Sequence, residues 1–293
     1  MRILILGGDG MLGHQLFQHL SQKYEVTATL HKSAQFYDKY SIYKNNVCFD
    51  IDVRSNDSLL EVVSEIKPDV IINATGIIKQ RKEAKEYLIS LEVNSLLPHR
   101  LSIISKAVNA RLIHMSTDCV FSGAKGSYTE NDISDATDLY GRSKYLGEVK
   151  DGHCITLRTS IIGLELFRKL SLIEWFLDQR GTIKGYKNSI YTGLTTIEMS
   201  RVIDFIISNK PDLSGLWHVA SEPISKYDLL SILNKKLERN DIDIVEDTEV
   251  IIDRSLNAAK FRDRTGYCVP EWDKMLEELA QVIKNRKKIN EAR

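Results

Sequence analysis

A glycine-rich turn near the start of the chain constrains the fold more than any other feature. Glycines are spaced as Gly-x-x-Gly-x-x-Gly between the apolar run Arg2–Leu6 and the helical pattern Met11–Leu20. With this spacing a strand turns tightly, its backbone approaches a pyrophosphate closely, and the helix directs its free amides at the phosphates. The pattern therefore predicts the first turn of a dinucleotide-binding fold. The expected cofactor contacts are Gly7, Gly10, Met11, Leu12 and Gly13.

Apolar runs alternate with helical patterns through the first half of the chain. The runs typical of strands are 2–6, 25–30, 47–51, 69–73, 111–115 and 155–157. The helical patterns that separate them include 55–66, 87–108 and 138–149. This alternation predicts the α/β class, with a Rossmann-type doubly wound parallel sheet. Pro98 should bend the longest helical pattern or mark its true start.

The alternation loosens after about residue 160, which suggests a second unit. We expect residues 1–160 to form the cofactor domain, joined by part of 190–215. Residues 161–293 should form a smaller α/β lobe that binds the substrate. The chain has no Pro/Gly/Ser-rich linker, so the two units should be tightly joined.

Composition excludes several classes of function. Forty basic residues balance forty acidic ones, so nothing predicts binding to nucleic acid or to an anionic membrane. No stretch approaches the ~20 apolar residues of a membrane span, and the N-terminus lacks a leader pattern. The four cysteines lie far apart, which predicts neither a disulfide framework nor a metal site. A cytoplasmic protein is expected, and a homodimer stays open.

The end of the second strand bears on the choice of dinucleotide. An NAD site usually carries an acidic residue about 20 residues beyond the glycines, bonded to the ribose hydroxyls. Here the strand runs into His31 and Lys32, which favour the 2′-phosphate of NADPH, although both could be plain loop residues and NADH stays open. Two later strand ends should complete the cofactor site. They contribute Asp52 and Val53 beside the adenine, and Asn73, Ala74, Thr75 and Gly76 beside the ribose and nicotinamide.

A Tyr-x-x-x-Lys pair marks the chemical end of the predicted site. Tyr140 and Lys144 lie four apart on a helical pattern, which places both side chains on one face. A phenol has a pKa near ~10, and a nearby ammonium lowers that pKa by stabilising the phenolate. Tyr140 could then protonate a carbonyl oxygen as hydride reaches carbon. Ser116 or Thr117, at the end of the fifth strand, could orient that oxygen, or could simply cap a turn.

These motifs together resemble the extended short-chain dehydrogenases, and most closely the dTDP-4-dehydrorhamnose reductase family. The resemblance covers nearly the whole chain. It is strongest in STDCVFSG at 116–123, YTE at 128–130, LYGRSK at 139–144 and LRTSIIG at 157–163. It implies a catalytic set of Thr117, Tyr140 and Lys144. It also implies NAD(P)H as hydride donor and a nucleoside-diphosphate 4-keto-6-deoxy sugar as acceptor, for bacterial surface polysaccharide.

The resemblance implies further contacts at the junction of cofactor and sugar. Those expected beside the cofactor are Ser116 and Arg158. Those expected beside the sugar are Cys119, Val120, Phe121, Thr159, Ser160, Tyr191 and Thr192. Lys79 and Arg81 are more basic than the family pattern and could meet a diphosphate or an altered sugar, or lie in a solvated loop.

Two departures from the family pattern bear on the substrate and on assembly. Cys119 stands where the family usually has a tyrosine, and His14-Gln15 replaces a frequent glutamate, so metal-linked dimerisation is not predicted. A UDP-linked acetamido keto sugar therefore competes with the rhamnose precursor as substrate. A sugar-nucleotide epimerase and a catalytically silent NADP-binding regulatory module remain as alternatives. A dehydratase is disfavoured because no second acid follows Asp118.

Overall fold

A seven-stranded parallel sheet forms the centre of the molecule. The computed structural model describes residues 1–79 and 86–291, so Arg81 lies outside the described residues. The strands of the sheet are β1 (Arg2–Leu6), β2 (Glu25–Thr29), β3 (Val47–Cys48), β4 (Val70–Asn73), β5 (Arg111–Met115), β6 (Cys154–Arg158) and β11 (Gly215–His218). Their order across the sheet is β11-β6-β5-β4-β1-β2-β3, with every neighbouring pair parallel. The predicted doubly wound sheet is confirmed.

Helices cover both faces of this sheet. They are α1 (Met11–Leu20), α2 (Ala34–Tyr37), α3 (Asn56–Ile66), α4 (Tyr87–Ser90), α5 (Leu97–Ala107), α6 (Leu139–Leu146), α7 (Leu172–Asp178), α8 (Thr196–Asn209), α9 (Lys226–Lys236), α10 (Ala259–Thr265) and α11 (Trp272–Glu291). Apolar residues of α1 and α8 pack on one face of the sheet, and those of α3 and α5 on the other. Central strands buried on both faces require the continuous apolar runs seen in the sequence.

The long helical pattern around Pro98 is continuous but changes its winding. A π-helical segment at Leu91–Leu96 joins α4 to α5, and Pro98 falls in the first turn of α5. Proline lacks an amide hydrogen, so it is tolerated where a helical segment starts and the amide needs no partner within the helix. The proline thus marks a restart inside one helix.

The predicted second unit, after residue 160, consists of short strands with helices between them. The short strands are β7 (Ile161–Ile162), β8 (Gly181–Tyr186), β9 (Ser189–Tyr191), β10 (Leu194–Thr195), β12 (Ile224–Ser225), β13 (Ile242–Asp247) and β14 (Ile252–Asp253). They pair as β10-β7, β12-β9-β14 and β13-β8. Between them, α8 and β11 return to the central sheet, so the chain crosses between the two units more than once. Within the described ranges, no helix combines the length and apolarity needed to cross a membrane.

Candidate active site

The glycine turn leaves no room for a side chain at Gly7 or Gly13. Gly7 has a φ of +81°, which favours glycine, and a Cβ on Gly13 would lie 2.0 Å from the Gly7 carbonyl oxygen. Helix α1 begins after Gly10 with no side-chain cap and no acidic residue in its first turn. The first amides of this helix therefore have neither a capping side chain nor a nearby repelling carboxylate in that turn, so the turn fits a dinucleotide pyrophosphate.

The ends of β2 and β3 lie side by side, where the adenosine end of a dinucleotide would bind. His31 and Lys32 are both exposed, and His31 approaches the Ile51 carbonyl oxygen at 3.4 Å. Asp52 is held by Arg54, whose Nε and Nη2 donate to its carboxylate at 3.0 and 2.8 Å. This ion pair neutralises Asp52, while His31 and Lys32 stay exposed at the end of β2.

The end of β4 touches the glycine turn directly. A Cβ on Gly7 would lie 2.8 Å from the Thr75 methyl group. The buried Asn73 side chain accepts a hydrogen bond from the Thr75 amide at 3.2 Å, and its amide group pairs with His114 at 3.1 Å. Gly76 lies against Asn94, whose amide group bonds the Ile77 backbone. The segment from Asn73 to Gly76 is thus fixed along the edge where the predicted ribose would lie.

Helix α6 packs so closely that Tyr140 is brought beside Thr117. The Asp138 carboxylate caps the helix by accepting from the Gly141 amide at 2.9 Å. Gly141 then meets the turn after β5, since a Cβ there would lie 2.2 Å from the Cys119 carbonyl oxygen. Thr117 caps that turn, its hydroxyl accepting from the Cys119 amide at 3.1 Å. The Thr117 side chain lowers the pKa of the Tyr140 phenol, although burial and Cys119 raise it more.

Lys144 is buried one helical turn beyond Tyr140. Its Nζ donates to the Met115 carbonyl oxygen at 2.6 Å. Burial lowers the pKa of Lys144 to about 8, while the Glu148 carboxylate opposes that change. The ammonium is therefore close to its own titration point and would respond to any charge bound beside it. Thr117, Tyr140 and Lys144 are brought together at the carboxyl end of β5, as their motifs led us to expect.

A buried ion pair lies beneath these three residues. Arg158 is 1% exposed, and its Nε and Nη2 donate to Glu148 at 2.7 and 2.8 Å. The Ser116 hydroxyl donates to the same carboxylate at 2.8 Å, and the Arg158 guanidinium lies over the Phe121 ring. Phe121 and Val120 are fully buried. These hydrogen bonds engage the polar groups of Arg158 and Ser116, and the core buries Val120 and Phe121. The four residues therefore support the site from below.

Positively charged side chains gather on the substrate side of Tyr140. Lys79 lies over the Tyr140 ring, 6.0 Å from its centre, and pairs with Asp138 at 2.7 Å. Lys226 and Arg254 lie close enough to Asp118 to lower the pKa of its carboxyl, against the larger effect of burial. Burial also lowers the pKa of Lys226. The arrangement suits an anionic ligand next to the phenol.

The segment after β9 forms the opposite wall of this pocket. The Tyr191 side chain is buried, and its hydroxyl has no hydrogen-bond partner among the described residues. Burial raises the pKa of this hydroxyl most, the Ser160 side chain lowers it, and Asp118 and Cys119 raise it further, so the hydroxyl lies near Ser160 and the Asp118–Cys119 turn. Thr192, by contrast, is committed to the fold, since its hydroxyl accepts from the Leu256 amide at 3.0 Å.

Thr159 and Ser160 lie where β6 ends. Thr159 is 4% exposed, and its backbone carbonyl accepts from the Asp118 amide at 3.2 Å. Ser160 is partly exposed, and its carbonyl oxygen accepts from the Leu194 amide at 2.9 Å. The strand end thus ties the Asp118 turn to the second unit.

Three functional candidates escaped the sequence reasoning. Lys226 begins α9 and Arg254 follows β14, more than 100 residues beyond Tyr140, and nothing in their spacing connects them to it. Glu148 was not predicted as a site residue. Its placement four residues after Lys144, on the same helical spacing, was the available signal for a charge partner.

A parallel sheet with a bare glycine turn and a Thr-Tyr-Lys set at its carboxyl edge defines an extended short-chain dehydrogenase/reductase. The chain belongs to the RmlD substrate binding domain family, whose model matches residues 1–284. It is similar to the dTDP-4-dehydrorhamnose reductase of Aggregatibacter actinomycetemcomitans, 28% identical over 78% of this chain and 76% of that protein. It is also similar to the spore coat polysaccharide biosynthesis protein SpsK of Bacillus subtilis, 29% identical over 77% of this chain and 75% of that protein.

Solved structures share the fold over almost the whole chain. The dTDP-4-dehydrorhamnose reductase of Bacillus anthracis in complex with NADP superimposes with a TM-score of 0.78 at 21% identity, covering 95% of this chain and 98% of that one. The Bordetella bronchiseptica enzyme WbmG in complex with NAD gives a TM-score of 0.77 at 18% identity, covering 97% and 94%. At these identities the likeness establishes the fold alone.

Proposed function

We propose that this chain is an NAD(P)H-dependent reductase of a nucleoside-diphosphate 4-keto-6-deoxy sugar. The observation that carries the proposal is the meeting of Thr117, Tyr140 and Lys144 beside a glycine turn that fits a dinucleotide. Membership of a family whose relatives are named reductases supports the same reaction class. The chain is thus an oxidoreductase that converts a ketone to an alcohol.

The phenol of Tyr140 supplies the proton for this reaction. The bound reduced nicotinamide supplies the hydride to the carbonyl carbon. Tyr140 donates a hydrogen bond to the carbonyl oxygen and transfers its proton as negative charge develops there. The Thr117 hydroxyl, which donates to the Asp118 carboxylate at 3.0 Å, would turn its hydrogen to the same oxygen when the substrate is bound. Burial raises the pKa of Tyr140, so the phenol starts fully protonated and ready to donate. The Lys144 ammonium then stabilises the phenolate that remains.

The cations beside Tyr140 bind the diphosphate and its attached sugar. Arg254 donates to the Phe121 carbonyl oxygen at 2.8 Å, beside the Asp118–Cys119 turn, and Lys226 is close enough to this turn and to Lys79 for their charges to act on its pKa. An uncharged small alcohol would have no use for three such cations. The charge pattern therefore favours a nucleoside-diphosphate substrate.

The buried Tyr191 hydroxyl bears on which sugar is taken. This hydroxyl lies near the Ser160 side chain and makes no hydrogen bond of normal geometry among the described residues, so it is free to bond a polar ligand group. Cys119 leaves more space beside it than the tyrosine of the family pattern would. We therefore expect a sugar with a polar substituent near this wall, and a UDP-linked acetamido keto sugar fits as well as the dTDP-linked rhamnose precursor.

The cofactor is expected to be NADPH in preference to NADH. The β2 end presents His31 and Lys32 without an acid, and Arg54 neutralises Asp52. Relatives with solved structures are found with NADP and with NAD, so the fold accepts both. A role in polysaccharide synthesis is consistent with the name of the similar Bacillus subtilis protein.

The test is NAD(P)H oxidation with a panel of keto sugars. The purified protein would receive NADPH or NADH with dTDP- and UDP-linked 4-keto-6-deoxy sugars, each with and without a 2-acetamido group. We expect turnover with at least one sugar, faster with NADPH, and a loss of about 10²- to 10⁴-fold in kcat for Tyr140→Phe. The Tyr140→Phe variant should keep its affinity for the dinucleotide.

Tyr145→Phe is the matched control, since this tyrosine lies on the same helix but is 42% exposed. It should retain wild-type turnover. Oxidation of the cofactor at wild-type rate by Tyr140→Phe would refute the catalytic assignment. Dinucleotide binding without turnover of any sugar in the panel would refute the substrate class.

A further inference from the structure

The glycine turn contains a buried carboxylate, which is unexpected beside a phosphate site. Asp9 stands between Gly8 and Gly10, and its side chain is only 6% exposed. One of its oxygens accepts from the Tyr37 hydroxyl at 2.8 Å. A dinucleotide pyrophosphate at this turn carries negative charge, so an uncompensated Asp9 would repel it through a medium of low dielectric constant.

The cation facing Asp9 comes from the second unit. The Arg168 Nη2 lies 3.5 Å from the Asp9 carboxylate, and Arg168 is the salt-bridge partner of Asp9 among the described residues. Its guanidinium also stacks on the Phe167 ring, with 5.2 Å between the guanidinium carbon and the ring centre. Arg168 therefore reaches the cofactor turn although it lies beyond both the Tyr140 and Arg158 segments in sequence.

The loop at 163–171 is built to hold Arg168 there. Phe167 packs edge-on against Phe36, with ring centres 5.1 Å apart, and contributes to the aromatic cluster next to Tyr37. Within the loop, the buried Glu165 carboxylate accepts from the Ser171 amide at 2.8 Å. The Phe167 packing and the Glu165–Ser171 hydrogen bond thus anchor the loop on both sides of Arg168. The guanidinium is therefore in place before a dinucleotide binds.

We propose that Arg168 is a cofactor-affinity residue that screens the Asp9 charge from the dinucleotide pyrophosphate. This inference rests on the dinucleotide part of the proposed function and not on the identity of the sugar. The second unit then completes the cofactor site as well as the sugar pocket. Because the pyrophosphate is common to both dinucleotides, Arg168 supports NADPH and NADH equally.

Equilibrium binding of NADPH and NADH, followed by nicotinamide fluorescence without any sugar, tests this role. Arg168→Gln should raise the Kd for both dinucleotides by about tenfold, a change expected for one uncompensated charge near a phosphate. Asp9→Asn in the Arg168→Gln background should restore most of the lost affinity, because the charge to be screened is gone. Lys169→Gln removes the neighbouring charge and should leave both Kd values unchanged.

The binding measurements test the role of Arg168 independently of the sugar reductase activity. Unchanged Kd values in Arg168→Gln, or an equal loss in Lys169→Gln, would overturn the role of Arg168. A double variant that binds as weakly as Arg168→Gln would also overturn it, since screening of Asp9 could not be the cause. Failure of every keto sugar to be reduced, with these binding results intact, would count against the sugar reductase alone.

Discussion

The cofactor turn and the sugar pocket are built in different ways. The turn is made of backbone from one short stretch, Gly7 to Gly13, with the end of β4 against it. The proposed pocket is made of side chains from distant segments: Lys79 follows β4, Tyr191 ends β9 and Lys226 begins α9. A site made of local backbone depends on spacing, whereas a site made of converging side chains depends on the whole fold.

The two regions also differ in their electrostatics. The turn offers aligned amides and carries one carboxylate that Arg168 faces across the unit boundary. The pocket holds several cations, and burial lowers the pKa of two of them, Lys144 and Lys226. Binding an anion near Lys144, whose pKa is about 8, would favour its charged form, so substrate binding near that pH should be coupled to proton uptake.

The comparison predicts the largest effect for a methyl group added to the turn. Gly13→Ala should raise the dinucleotide Kd roughly a hundredfold, because its Cβ would lie 2.0 Å from the Gly7 carbonyl oxygen and must displace the turn. Overpacking should also reduce the free energy of unfolding by about 1–3 kcal/mol. Dinucleotide titration and thermal denaturation measure the two effects.

Gly152→Ala is the control for this change, since a Cβ there meets nothing within 4 Å. It should leave affinity and stability close to wild type. If Gly13→Ala bound the dinucleotide normally, the turn would not be the phosphate site, and the distinction between a backbone site and a side-chain site would fail.

Glu148→Gln should lower the pH at which Lys144 loses its proton. The charged form of Lys144 is lost as pH rises through its pKa of about 8, so kcat should fall on the alkaline side. Glu148 raises that pKa, so removing its charge should move the alkaline limb to lower pH. The pH profile of kcat for wild type and Glu148→Gln measures the shift.

Glu174→Gln controls for the loss of a buried carboxylate paired with arginine, since Glu174 binds Arg286 at 2.6 Å. Glu174→Gln should reduce the free energy of unfolding without moving the alkaline limb of the pH profile of kcat. An unshifted limb in Glu148→Gln, in a protein that remains folded, would mean that Glu148 does not tune Lys144.

The smallest of these effects is expected in the pocket, where several cations share the ligand. Lys226→Gln should raise the KM for the nucleotide sugar by about tenfold while kcat and dinucleotide Kd change little. Arg262→Gln, which removes an exposed charge from α10, should change none of these values. A fall in kcat with KM unchanged would place Lys226 in the chemistry instead of in substrate binding.

Sequence reasoning reached the turn and the first six strands of the sheet because both follow from local spacing. The sequence shows the glycine spacing from Gly7 to Gly13 directly. It also shows the continuous apolar runs of β1, β4 and β5. Tyr140 and Lys144 were also readable, since they lie on one helix face. The π-helical segment before Pro98 was not, because propensity does not distinguish it from an ordinary helix.

Residues that act through long-range packing could not be predicted from spacing. Lys226 and Arg254 meet Asp118 only because the second unit folds back over the carboxyl edge of the sheet. Arg158 is an instructive case, because its motif indicated a place beside the cofactor, whereas its guanidinium lies buried with Glu148. Tertiary structure decides which groups a charged side chain contacts. The position of the residue in the sequence does not reveal those groups.

Transfer of deuterium from labelled NADPH tests the central claim most directly. The protein would be given NADPH carrying deuterium at both hydrogen positions of nicotinamide C4, so that either face delivers the label, with the keto sugar that it turns over best, and the product would be analysed by mass spectrometry and NMR. A Tyr140-dependent reductase predicts one deuterium at sugar C4 for each NADP formed, and none with Tyr140→Phe. A sugar product without deuterium, or an inverted sugar with the cofactor still reduced, would contradict the account.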